Sequence, residues 1–94
     1  MTNQCELYSD MLGVFHKSIL INFLQENFGN YISISDCFLY EFVITSPSKK
    51  GCNLKIYANC KNHLVHIKTN LSSKIFFLES YKEFYLFIKN YFEI

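Results

Sequence analysis

Cys52, Leu54, Ile56, Ala58 and Cys60 alternate with Asn53, Lys55, Tyr57 and Asn59, a period of two that turns one face of an extended chain apolar and the other wet. This run predicts a half-buried strand. Lys61 and Asn62 then fit a two-residue hairpin loop, with Asn tolerating a positive φ. A loop that short sets Cys60 opposite His63, Ala58 opposite Val65 and Ile56 opposite Ile67, so the apolar face continues across both strands.

Upstream the period is different. From an N-cap at Ser9 or Asp10, the apolar positions Leu12, Phe15, Ile19, Leu20, Phe23, Leu24 and Phe28 recur every three or four residues, and Gly29 follows as a C′ residue. The spacing predicts a helix over about 10–28. The period returns to two at Ile32, Ile34, Phe38, Tyr40, Phe42 and Ile44, with Asp36 the polar interruption. This predicts a long strand, or two collinear pieces bent at Asp36 and Cys37. Ser46 to Gly51, with the single proline and a lysine pair, is a loop, and Thr69 to Ser73 is another. Lys74 to Leu78 reads as a short strand. Ser80 and Glu83 have the spacing of a capping box ahead of a helix over about 81–92, whose broad apolar arc contains Tyr81, Phe84, Tyr85, Phe87, Ile88, Tyr91 and Phe92.

The element order is therefore helix, three or four antiparallel strands, helix. It predicts an α+β fold, a two-layer sandwich of an antiparallel meander and two helices, formed as one domain over 1–94. Parity places the even residues between 38 and 60 inward, but it does not decide whether both helices share that face.

Composition narrows the function classes. Half of the 94 residues are hydrophobic and 18% are aromatic, which excludes a disordered tail. The net charge of +1 leaves no general positive field to attract phosphate or anionic lipid. No membrane span or leader is expected, and the predicted location is the cytoplasm of the producing or host cell. The four cysteines, at 5, 37, 52 and 60, read as reduced core thiols. Phe, Tyr, Asn, Ile and Lys make up 45 of the residues, a usage favoured by AT-rich codons that points to a low-GC phage, mobile element or bacterium.

Candidate chemistry is sparse. Cys52, Cys60, His63 and His66 have zinc-ligand chemistry, yet His63 and His66 are an odd number apart and point to opposite faces of one strand. Cys60 and His63 could pair as a nucleophile and base, but nothing nearby marks an oxyanion hole. Asp36 and Glu41 fall on opposite faces, Glu79 and Glu83 serve a helix start, and no glycine-rich phosphate loop exists. The expectation is a non-enzymatic protein with no cofactor and no metal.

The wet face of the sheet is more informative. By parity it displays Leu39, Glu41, Val43, Lys55, Tyr57, Leu64, His66 and Lys68, four of them apolar or aromatic where Thr, Lys, Glu and Ser are usual. These residues are the expected partner-binding surface for another protein or a ribonucleoprotein complex. A packed helix or a homodimer could cover the same face. The leading expectation is a stoichiometric inhibitor of the anti-defence, anti-CRISPR or immunity type. The alternatives are a nucleic-acid-binding domain and a small zinc or Cys/His site protein. Helix, three strands, helix is also the order of double-stranded RNA-binding domains, a likeness of topology alone, with Lys49 and Lys50 in the loop position that would touch phosphates.

Overall fold

The computed structural model describes residues 16–59, 64–69 and 74–94. Its elements are α1 (Lys17–Phe28), β1 (Ser33–Asp36), β2 (Glu41–Thr45), β3 (Asn53–Asn59), β4 (Leu64–Thr69), β5 (Ile75–Leu78) and α2 (Tyr81–Phe92). The strands form one antiparallel sheet in the order β1-β2-β3-β4-β5. The helix, meander, helix plan of an α+β sandwich is present, with five strands among the described residues instead of three or four.

The additional strand comes from the run expected to be one long strand or two collinear pieces bent at Asp36 and Cys37. Between Asp36 and Glu41 the chain reverses, so Ser33 opposes Thr45 and Asp36 opposes Phe42. The Cys37 N–H donates to the Glu41 carbonyl at 3.2 Å, and the Glu41 N–H donates to the Phe38 carbonyl at 3.1 Å. Phe38 and Tyr40, expected inward, are 78% and 62% exposed at this turn. Leu39 between them sits in the left-handed region at φ 54°. The Lys17 ammonium anchors the turn to α1, pairing with the Asp36 carboxylate and donating to the Cys37 carbonyl at 3.1 Å.

The β3–β4 register is the one that parity predicts: Ile56 opposes Ile67 and Ala58 opposes Val65. The expected hairpin loop, Cys60 to His63, lies outside the described residues. The helix expected over about 10–28 begins later, at Lys17, because His16 is its N-cap with an extended backbone at φ −86° and ψ 139°; the expected N-cap at Ser9 or Asp10 lies outside the described residues.

One face of the sheet forms the floor of the core. Phe42, Ile44, Leu54, Ile56, Ala58, Val65 and Ile67 are buried there beneath Leu20, Phe23, Leu24 and Phe28 of α1 and Tyr81, Phe84, Ile88 and Phe92 of α2. Both helices therefore share one face. They meet edge to face and tilted, with the Phe23 ring 5.4 Å from Tyr81 and 6.0 Å from Phe84, while Phe28 stacks on Tyr85 at 5.0 Å.

The helix ends have their own chemistry. The Ser80 hydroxyl accepts from the Glu83 N–H at 3.2 Å, as a capping box requires, but the Glu83 carboxylate takes the Glu79 N–H at 3.1 Å instead of that of Ser80. Gly29 is not the left-handed C′ residue expected: its backbone is right-handed, at φ −55°. Its requirement for glycine is steric, since a Cβ would sit 2.5 Å from the Gln25 carbonyl oxygen. At the carboxyl end of α2, Glu93 adopts φ 57° and its carboxylate pairs with Lys49 at 3.0 Å. The same ammonium donates to the Tyr91 carbonyl at 3.3 Å, so a cation from the β2–β3 loop caps the negative pole of the helix. The Tyr91 hydroxyl donates to the Asn53 carbonyl at 3.2 Å. Burial, and then the neighbouring Cys52, pushes its pKa above the ordinary value.

Candidate functional site

With α1 and α2 on the same side, no described element covers the other face of the sheet. Antiparallel registry builds that face as cross-strand rows. One row runs Ser35, Val43, Lys55, Lys68, Ile75, and the next runs Glu41, Tyr57, His66, Phe77. Of the eight residues expected from sequence, Glu41, Val43, Lys55, Tyr57, His66 and Lys68 stand in these two rows. Leu64, opposite Asn59, begins a third. Leu39 does not belong to the sheet face, because it occupies the β1–β2 turn in the left-handed region.

Two residues missed by the sequence reading extend the surface. Ile75 and Phe77 of β5 are 52% and 56% exposed on this face, whereas Phe76 and Leu78 turn toward the core. Their signal was present. In a strand of consecutive apolar residues, alternate side chains must point outward, and only the pairing of β5 with β4 shows that odd parity continues across.

The face is ordered by its own contacts. The His66 ring meets Phe77 edge to face at 4.7 Å. Lys55 lies 3.6 Å from the Glu41 carboxylate and 5.7 Å above the Tyr57 ring. The Glu41 carboxylate, and after it Tyr57, raises the Lys55 pKa above its ordinary value, so this ammonium is charged and has a counterion. Lys68 stands directly opposite Lys55 across β3 and β4. Like charges in that position are destabilising.

The other candidate chemistry is dispersed. Cys52 packs at the edge of the core, and His66 is on the open face. Cys60 and His63 lie outside the described residues. Among the described residues no group of three His, Cys, Asp or Glu side chains converges as a metal site. Of the two lysines in the expected phosphate-contacting loop, Lys49 is engaged by Glu93 and the Tyr91 carbonyl, while Lys50 is exposed. No helix of the described residues is long and apolar enough to cross a membrane.

Compared with known proteins, the chain matches no protein-family model, no curated protein and no solved structure.

Proposed function

We propose that this is a non-enzymatic binding protein that uses the open face of its sheet to occupy a surface of another protein or ribonucleoprotein complex. The observation carrying this reading is the one-sided packing among the described residues: two helices on one face, and on the other a surface that no described element covers, where Val43, Tyr57, Leu64, Ile75 and Phe77 accompany Glu41, Lys55, His66 and Lys68. Exposed Ile75 and Phe77 beside half-buried Val43, Tyr57 and Leu64, with a few charges, have the composition of a protein interface. The low-GC residue usage favours a phage, mobile element or bacterium as the context, and the role we propose there is that of a cytoplasmic stoichiometric inhibitor of the anti-defence, anti-CRISPR or immunity type.

The test is capture of partners from the native host by the wild-type protein and by a variant with Tyr57, Leu64 and His66 replaced by Ala. A specific partner lost by the variant, with its circular-dichroism spectrum and melting temperature near wild type, is the expected result. A partner retained equally by both removes the proposed face.

A further inference from the structure

Building on that reading, we propose that the occupant of the open face is an acidic protein surface, with the Lys68 ammonium donating to a carboxylate of the partner. Within the strands this face carries one carboxylate, Glu41, and two ammoniums, Lys55 and Lys68. Glu41 is already committed to Lys55 at 3.6 Å. Among the described residues no carboxylate lies within ion-pair distance of Lys68, which instead faces the like charge of Lys55 in register. A sheet gains nothing from two opposed lysines on its own account. An incoming carboxylate above the row relieves that repulsion, and apolar groups beside it meet Val43 and Ile75, which flank the lysine pair in the same row.

Charge also separates the possible occupants. A second copy stacked on this face brings one carboxylate for every two ammoniums, and so leaves the interface positive. A phosphate backbone needs a run of cations to release counterions, and here Glu41 stands directly opposite Tyr57, among the rings on which bases would stack. A partner with apolar side chains and carboxylates satisfies both the charge and the exposed rings.

The experiment titrates the isotopically labelled full chain with three probes and follows backbone amide resonances. The probes are a short acetylated peptide of alternating Glu and Leu, its Lys-for-Glu counterpart and a short oligouridylate. The acidic peptide is expected to give saturable shifts at Val43, Lys55, Lys68 and Ile75, weakening as salt is added. Lys68→Glu should reduce its affinity about tenfold or more. Lys82→Glu, the same charge change on exposed α2, should leave it within about twofold. Lys68→Glu sets a carboxylate opposite Lys55, so its melting temperature should equal or exceed that of wild type, which separates loss of binding from loss of fold. Absence of saturable shifts on this face, equal binding of the acidic and basic peptides, or tighter binding of the oligouridylate at the same residues overturns the proposal. If a partner from the capture experiment is lost with the Tyr57, Leu64 and His66 variant but kept by Lys68→Glu, the face binds protein and the acidic occupant is wrong.

Discussion

Phe23 and Phe38 are the same side chain in opposite situations, and replacing each by Ala tests where the chain reverses. Phe23 is fully buried, with Tyr81, Phe84 and Tyr85 rings at 5.4, 6.0 and 6.4 Å. Removing its ring forfeits the transfer energy and the aromatic pairs, and leaves a cavity between two helices and the sheet. The expected cost is about 3–5 kcal/mol. Unfolding entropy for a chain of this length makes each kcal/mol worth about 5 °C, so the melting temperature should fall by about 15–25 °C. That is a large part of a net stability of about 5–15 kcal/mol. Phe38 is 78% exposed at the β1–β2 turn, and its truncation should change stability by less than about 0.5 kcal/mol. Urea unfolding followed by far-UV circular dichroism measures both, with a common slope showing that the unfolded states match. Should Phe23→Ala not fold, Phe23→Leu gives the same comparison at a cost of about 1 kcal/mol or more. Equal losses for the Phe23 and Phe38 variants would refute the reasoning, because Phe38 would then point into the core and residues 32–44 would run as one strand.

Three further outcomes follow from local geometry. Leu39→Asn should stabilise the protein by about 0.5–1 kcal/mol in the same urea assay, since Leu39 is left-handed at φ 54° and Asn tolerates that region. Lys49→Met should cost about 0.5–1 kcal/mol by removing the cation at the α2 terminus, while Lys50→Met should be nearly neutral. A loop serving only to contact phosphate would show two equal, negligible effects on stability. Stability should hold from neutral pH to about 10 and decline above it, because Lys55 and Tyr91 both have pKa values raised by folding. Their protonated forms are favoured in the native state, so the contribution is complete below the unfolded pKa and is lost as pH rises through the folded one. A Tyr91→Phe variant should lose less on that alkaline limb, measured by denaturant melts at stepped pH.

Residues 32–44 show why one part of the fold was illegible in sequence. Asp36 opposes Phe42 and Ile34 opposes Ile44, so paired positions sum to an even number and even residues stay on one side through the reversal. A continuous strand and a hairpin with a Cys37–Tyr40 turn therefore carry the same alternation. No Asn-Gly or Gly marks that turn; its left-handed position is filled by Leu39. The β3–β4 pairing was legible because polar Lys61 and Asn62 interrupt the apolar face at a length that allows one register. The candidate site was legible in the same way for Lys55, Tyr57, His66 and Lys68. Ile75 and Phe77 lacked any polar alternation to assign them a side.

Local pattern by itself determined the α2 helix, the α1 helix from Lys17 on but not its start, the parity of β2, β3 and β4, and the Ser80 cap, because each depends on neighbours within a few residues. Tertiary structure decided what pattern cannot encode. The rings of Phe23, Phe28, Tyr81, Phe84 and Tyr85 bring both helices to one face, and it is this shared burial that leaves the opposite face without a covering element among the described residues. Amphipathic helices need only an apolar surface to cover, and a sheet with apolar residues on both sides offers two. Aromatic contact between the helices made the choice, and so turned a wet-looking row of strand residues into the surface on which the proposed function rests.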